Sequence, residues 1–359
     1  MRLILFLFLM LILLAPVNDA WSKTPGDLKN GAVVIAYFTI DEDTGVGGVT
    51  PEQFAAHINA LAESGANIMK LSDIVTALET GGTLPPKAIA LTFEGASHSN
   101  ARYAWPLLID RKWPFTVFVS AGQMQQSASY LDAEAVKALA RTKGVTIGAM
   151  PSSYDATTQG SQEFWRSLNV TRATIRDLTG QSPTLFAYPQ GIPPRDFTGS
   201  LQKHGFKAGF GQQSGVVSTY NPRWLLPRYT MAQGVAGDDR IRTLLRAAPM
   251  PAFDASPLSG FVTANPPPIG FTLHASLIHR AGQMACTASD GQKGQISRLG
   301  KDRIEVRFAQ ATPKTRLRVN CILPDGTDDN GDDIYRWLGF LYEMPTDTKP
   351  AVTPLRVPQ

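Results

Sequence analysis

Short apolar runs alternate with segments of helical periodicity from residue 32 to about residue 248. The apolar runs have the length and the bounding turn residues of buried strands. Between them, Phe54, Ile58 and Leu61 recur at the spacing of one helix face, and Pro51 favours a helix start just before them. Strands that alternate with helices predict a parallel sheet covered by helices, and roughly seven such units favour a barrel over an open sheet. The predicted strands are 32–38, 88–93, 115–121, 145–150, 184–189, 207–211 and 226–231.

The pattern changes in the second half of the chain, which predicts a second domain. Residues 23–246 form the predicted barrel, and the segment 247–270, rich in Pro and small residues, is interpreted as a linker. Short runs with a period of two follow, which is typical of half-buried antiparallel strands. About six of them predict a small all-β, sandwich-like domain over residues 271–344. The Pro-containing tail 345–359 is predicted to be disordered. The clearest runs of the second domain are 271–278, 283–289, 302–309, 316–324 and 335–344.

Residues 1–22 have the layout of a secretory signal peptide. Arg2 is followed by an unbroken apolar run over residues 3–14, and Ala20 and Ser22 are small residues at the positions expected before a cleavage site. We therefore predict cleavage after Ser22 and export to the periplasm or cell envelope of a bacterium. The alternative is an uncleaved anchor, and only this segment would then contact a membrane.

Export gives the two cysteines a structural meaning. Cys286 and Cys321 lie in strand-like stretches, and in an oxidising compartment we predict that they form a disulfide. The closed loop would hold about 35 residues. Two free buried thiols are the alternative. A zinc site at these cysteines is excluded because no Cys-x-x-Cys pair or clustered histidine accompanies them.

Composition removes one class of partner. The chain of 359 residues carries a net charge of +4, yet it has no block of Lys and Arg and no basic stripe interleaved with aromatic residues. Nucleic acid is therefore not a predicted partner. A mildly basic surface could attract an acidic polymer of the cell envelope.

The first candidate for chemistry is a single acid at the end of an interior strand. In "ALTFEGASH", residues 90–98, the buried run stops at Glu94. Strand ends of α/β folds are where catalytic side chains collect. His98 is interpreted as a cap of the following loop, because two groups alone make a poor zinc site. His57 is predicted on a helix surface, and His204 at a helix end, where a cation suits the helix dipole.

Three stretches resemble conserved regions of the polysaccharide deacetylases, the NodB-homology family (family four) of carbohydrate esterases. The first is "GTLPPKAIALTFEGASHSNARYAWPLLIDRKWPFTVFVSAG", preceded by "TPEQFAAHINALAESGANIMKLSDIVTAL" and followed by "LTGQSPTLFAYPQG". The resemblance covers roughly residues 32–235. It implies an incomplete (β/α) barrel of about seven units, which agrees with the strand count. It also implies removal of N-acetyl groups from a glycan with a divalent metal, usually zinc.

The metal positions of the family are not kept in this chain. The first family motif, Thr-Phe-Asp-Asp-Gly, places its general base on Glu94 and its metal-binding Asp on Gly95. The two metal-binding histidines of a later His-x-x-x-His motif fall on Met150 and Tyr154. A hydrogen, a thioether and a neutral phenol offer zinc almost no hard or anionic ligand. We therefore predict no metal and no other cofactor.

The opposite side of the family site is better kept. "FAYPQG", residues 186–191, matches the third family motif, in which the backbone after the proline donates an N–H to the developing oxyanion. That donor would be the N–H of Gln190, with Tyr188 beside it in the groove. "LPRY", residues 226–229, places Arg228 where it could contact the substrate or orient an acid.

These observations favour an exported, catalytically degenerate relative of the deacetylases. The first hypothesis is a non-catalytic protein that binds a polysaccharide, one containing N-acetylglucosamine, or that acts as a scaffold in the cell envelope. The alternative is an active deacetylase that uses Glu94 as its base. In a third hypothesis the β-domain binds the partner and the barrel only spaces it.

Overall fold

The structure, a computed structural model, describes most of the chain between residues 28 and 345. The predicted signal peptide 1–22, the metal position Tyr154 and all but the first residue of the predicted tail lie outside the described residues. The internal positions that are not described are 127, 153–154, 156–158, 198–199, 233–236, 238 and 329.

Parallel strands of the first domain form one curled, eight-stranded sheet. Its main path runs in the order β7-β6-β5-β4-β3-β1-β8, and β2 pairs with the start of β3. The seven strands of this path coincide with the seven predicted ones, so the incomplete barrel is confirmed. The strands are β1 (Val33–Tyr37), β2 (Asn67–Ile68), β3 (Ala88–Glu94), β4 (Phe115–Ser120), β5 (Val145–Met150), β6 (Leu185–Ala187), β7 (Ala208–Phe210) and β8 (Tyr229–Thr230).

Helices follow the strands and bury one face each. The N-terminus of α1 carries a capping box, in which the Thr50 hydroxyl accepts from the Gln53 N–H and the Gln53 side chain accepts from the Thr50 N–H. Phe54, Ile58 and Leu61 are buried as their spacing predicted. No helix within the described residues has the length and apolar character needed to cross a membrane. The helices are α1 (Pro51–Glu63), α2 (Leu71–Glu79), α3 (His98–Tyr103), α4 (Trp105–Asp110), α5 (Ala133–Ala140), α6 (Ser161–Thr179) and α7 (Asp239–Leu245).

Two further sheets form the second domain. One has four strands in the order β10-β12-β15-β14, and the other has the path β11-β17-β16-β13 with β9 also paired to β17. Alternate residues of both sheets share one apolar core, which agrees with the predicted sandwich-like domain. The strands are β9 (Ala247–Pro249), β10 (Ala252–Ser256), β11 (Gly260–Phe261), β12 (Ile269–Leu273), β13 (Ala285–Ala288), β14 (Gln295–Leu299), β15 (Arg303–Arg307), β16 (Arg316–Thr327) and β17 (Asp333–Glu343).

The segment 247–270 differs from the predicted linker, because it contains β9, β10, β11 and the start of β12. The first three strands lie at sheet edges, where β9 and β11 both pair with β17 and β10 pairs with β12. Proline is tolerated at edges because it leaves no ladder hydrogen bond unmade there, and Pro249 ends β9 opposite Trp337. The Pro-rich composition of this segment therefore led to the prediction of a linker, although the segment forms edge strands. The run 271–278, predicted as one strand, also changes after Leu273 into a 3₁₀ helix, Ala275–Gln283.

The predicted disulfide between Cys286 and Cys321 is confirmed. The two residues face each other across the β13–β16 pair, are separated by 35 residues in sequence, and are almost fully buried. The bond ties the edge strand β13 to the long strand β16.

Strand β17 joins the two domains along the open seam of the barrel. Gly215, which follows β7, forms an isolated antiparallel bridge with Leu338. The Trp337 ring packs edge to face on the Tyr229 ring of β8, with ring centroids 5.3 Å apart. Gly339 lies so close to Ser214 that a Cβ on Gly339 would stand 2.2 Å from the Ser214 carbonyl oxygen. The second domain is therefore packed directly against the barrel wall.

Candidate functional site

The Glu94 carboxylate at the end of β3 lies in a polar cluster that spans several strand ends. Its side chain is only 7% exposed. The Nε2 of Gln212 donates to both carboxylate oxygens, at 3.1 and 3.3 Å, and an Nη2 of Arg228 donates to Oε1. Glu94 is therefore held by Gln212, which follows β7, and by Arg228, which precedes β8.

Arg228 is fully buried next to this acid. Its Nε donates to the Gly211 carbonyl oxygen at 2.8 Å, and its Cζ lies 5.3 Å from the centre of the Phe118 ring. Burial lowers the pKa of Arg228, and the Glu94 carboxylate opposes that shift. Two roles are predicted for Arg228, contact with the substrate or orientation of an acid. In the structure Arg228 contacts an acid, Glu94.

The loop after β6 turns sharply against the same cluster. Gln190, whose N–H is the predicted oxyanion donor, and Gly191 both have left-handed backbones, with φ of 55° and 75°. A Cβ on Gly191 would stand 2.4 Å from the Cβ of Gln212, so only glycine fits beside the residue that binds Glu94. The donor role of Gln190 stays a prediction.

The Tyr188 side chain lies in the core and not in the predicted groove. The residue is fully buried, its ring stacks on Phe164, and its hydroxyl donates to the Trp224 carbonyl oxygen at 2.7 Å. The physical reason is strand alternation, since Tyr188 shares the helix-facing side of β6 with Phe186, whose ring also packs on Phe164 of α6.

The inherited metal positions do not fit zinc. Gly95 has φ of +85°, and a Cβ built there would stand 2.9 Å from a ring carbon of Tyr130. Met150 ends β5 as a buried member of an apolar core. Within the described residues, no three His, Cys, Asp or Glu side chains are grouped so that they could hold a metal ion. Gly95 and Met150 therefore supply no ligand that zinc prefers.

Two arginines of the second domain reach this site, and sequence reasoning missed them. Arg316 and Arg318 of β16 donate to the carbonyl oxygens of Gln190 and Gln212, respectively. Burial lowers the pKa of Arg318 to about 10, with repulsion from Arg316 contributing. The stretch "RLRVN" does contain a signal for these two residues. The alternation that buries Leu317 places both arginines on the opposite face of the strand.

The predicted position of His57 was wrong, whereas His204 does end a helix, the 3₁₀ helix Gln202–His204, but without the predicted charge. His57 is buried rather than at the surface, and its Nδ1 lies 3.3 Å from the Tyr37 hydroxyl. His204 stacks on the Trp165 ring at 4.1 Å, and burial lowers its pKa, with Lys203 contributing. The neutral ring is favoured there over the expected cation. His98 begins α3, but the N-cap of this helix is Ser97, whose hydroxyl accepts from the Asn100 N–H, so His98 is not the predicted cap.

Restoring the family carboxylate at residue 95 should not restore a metal site. We expect Gly95→Asp to destabilise the fold by about 1–2 kcal/mol from the left-handed backbone, and further because its Cβ meets the Tyr130 ring. Chemical denaturation and elemental analysis after incubation with zinc measure the two effects. Gly65→Asp is the matched control, because Gly65 has φ of +69° and open space around it. Zinc bound at one ion per chain in Gly95→Asp would contradict this prediction.

Comparison with known proteins identifies the first domain. Residues 81–209 match the family model of polysaccharide deacetylases. No curated protein matches the chain. Among solved structures, the chain is similar to the deacetylase PplD of Streptococcus pyogenes in complex with acetate, with a TM-score of 0.54, 17% identity, and coverage of 60% of this chain and 98% of that one.

Two other solved structures give the same result. IcaB of Ammonifex degensii has a TM-score of 0.51 at 20% identity and covers 60% of this chain and 97% of its own. The de-N-acetylase of Aggregatibacter actinomycetemcomitans has a TM-score of 0.50 at 14% identity, with 59% and 99% covered. At these identities the likeness shows the fold, while the family match covers β3 and its acid Glu94. Residues 81–209 of the barrel therefore match the polysaccharide deacetylase family, and the barrel has the fold of these solved structures.

Proposed function

We propose that this protein binds a polysaccharide in the bacterial cell envelope and does not hydrolyse it through a metal. One observation carries the proposal. At the strand ends where the family holds its metal, Glu94 is a carboxylate already bound by Arg228 and Gln212, and Gly95 and Met150 stand at metal positions. Zinc hydrolysis needs three protein ligands and one open position, which these residues do not supply.

The ligand class follows from the domain. A polysaccharide deacetylase domain is built around a groove at the carboxyl ends of its strands, and here the strand-end residues remain a polar cluster rather than a filled apolar core. A chain that keeps this surface without the metal ligands keeps the means to bind a glycan. We propose a glycan containing N-acetylglucosamine.

A second candidate function is deacetylation with Glu94 as a general base. The observation in its favour is that a carboxylate, Glu94, stands at the base position of the family and is held in place by Arg228 and Gln212. The turn at Gln190 lies in the same cluster and offers a backbone donor for an oxyanion.

One set of measurements separates the two functions. Calorimetric titration with chito-oligosaccharides and with β-1,6-linked N-acetylglucosamine oligomers measures binding, and acetate release is followed on the same samples. We expect binding without acetate release, both with and without added zinc. Acetate release that Glu94→Gln abolishes would establish the second candidate. Zinc retained at one ion per chain by the purified protein would contradict the metal-free proposal.

Export is proposed together with this function. Its support is the charge and apolar pattern of residues 1–22, and a disulfide suits an oxidising compartment. Expression in a bacterium, cell fractionation and N-terminal sequencing test it. A mature protein that begins at Lys23 in the periplasmic fraction is the expected result.

A further inference from the structure

Strand β16 presents two arginines to the barrel. Leu317 and Val319 are buried in the core of the second domain, so the period of two turns Arg316 and Arg318 the other way. Arg316 donates to the Gln190 carbonyl oxygen and Arg318 to that of Gln212. The side chain of Gln212 in turn binds Glu94. The second domain therefore contributes side chains to the strand-end site.

The positive charges at this site outnumber the carboxylates that pair with them. Arg228 is paired with Glu94, and the Nε of Arg316 lies 3.4 Å from a carboxylate oxygen of Glu343. Among the described residues, no carboxylate lies within ion-pair distance of Arg318. A half-buried guanidinium that binds only a carbonyl oxygen lacks a compensating charge.

Two further observations agree with a missing anion. Repulsion by Arg316 and by Arg240 contributes, after burial, to the lowered pKa of Arg318, so the field at this guanidinium is positive. In Arg228, Nε and Nη2 are bound, whereas the buried Nη1 has no hydrogen-bond acceptor within the described part of the chain. The buried Nε of Arg316 likewise has no hydrogen-bond acceptor among the described residues, so donors are left over on both sides of the domain boundary.

We propose that Arg316 and Arg318 bind an anionic group, a carboxylate or a phosphate, carried by the polysaccharide, so that the ligand of this protein is an acidic glycan. The inference rests on the proposed glycan-binding function. Guanidinium forks fit the paired oxygens of both anions, which is why arginine is favoured for such recognition. The binding site is then formed by both domains.

The test compares three oligosaccharides of equal length in calorimetric titrations. One is a neutral N-acetylglucosamine oligomer, one an oligogalacturonate, and one carries a phosphate substituent. We expect an acidic oligomer to bind about tenfold more tightly than the neutral one at low salt, with the advantage shrinking as salt screens the charges. Whether the carboxylate or the phosphate oligomer binds more tightly identifies the source of the anion.

Variants assign the effect to the two arginines. Arg318→Gln should lose about tenfold in affinity for the acidic oligomer and keep its affinity for the neutral one. Arg298→Gln is the matched control, because Arg298 is exposed on β14 of the other sheet. If Arg318→Gln unfolds, as judged by circular dichroism, Arg318→Lys keeps the charge and removes the planar fork, and should give an intermediate affinity.

The outcomes distinguish this inference from the function on which it rests. Equal affinities for neutral and acidic oligomers would overturn the acidic-glycan inference and leave glycan binding standing. An unchanged preference for the acidic oligomer in a folded Arg318→Gln variant would overturn the role of Arg318. Failure of all three oligomers to bind would overturn both proposals.

Discussion

Replacing Arg228 with leucine is expected to lower the free energy of unfolding by about 3–5 kcal/mol, because it leaves the Glu94 carboxylate in a nearly dry site without its cation. Arg228 is fully buried and the Glu94 side chain is 7% exposed, so water can replace little of the lost interaction. Denaturant titrations followed by tryptophan fluorescence measure the change.

A double variant makes this prediction sharper. Breaking a buried pair is costly, whereas replacing both partners with apolar residues is often close to neutral. We therefore expect Arg228→Leu with Glu94→Leu to recover most of the stability lost by Arg228→Leu alone. Arg298→Leu, at an exposed position, is the control and should change stability little. A loss below about 1 kcal/mol in Arg228→Leu would place the pair among weak surface ion pairs and contradict the prediction.

Removing the Cys286–Cys321 disulfide is expected to cost the second domain about 4 kcal/mol, as the chain-entropy model gives for a loop of this length. The two cysteines are 35 residues apart in sequence. Paired substitution to alanine, Cys286→Ala with Cys321→Ala, is compared with the wild type in urea titrations with and without reductant.

The response to reductant provides the control. Reductant should lower the unfolding midpoint of the wild type and leave that of the double-alanine variant unchanged. Arg316 and Arg318 lie on β16, the same strand as Cys321. Loss of the disulfide should therefore make the second-domain part of the site easier to unfold. A wild-type midpoint that does not respond to reductant would show that the bond does not form in solution or does not constrain the unfolded chain.

The sequence predicted the elements whose signal is local. The run 88–93 is apolar except for Thr92 and forms β3, Ala88–Glu94, buried on both faces. Glu94, the charged residue that ends this run, marked the candidate site because this signal is also local in the sequence. The disulfide was also predictable, because only two cysteines are present and both lie in strand-like runs.

What the sequence did not predict depends on contacts between distant segments. Arg316 and Arg318 looked like the solvated face of an amphipathic strand, and only the packing of β17 on the barrel seam turns that face toward Glu94. His57 was predicted on the helix surface, but it lies beside the buried Phe54 and Leu61 on α1, and its Nδ1 is 3.3 Å from the Tyr37 hydroxyl of β1. The short edge strands in 247–270 gave no periodic signal.

The close contact of Gly339 with Ser214 has a consequence for how a ligand meets the protein. Backbone lies on backbone there without an intervening side chain, and the neighbouring Trp337 ring is shared with the barrel. A hinge motion at this boundary would expose the Gly339–Ser214 contact and the Trp337 ring to water at the same time. We therefore expect the two domains to move as a single rigid body. A polysaccharide that binds at the domain boundary would then lose little affinity to ordering the two domains.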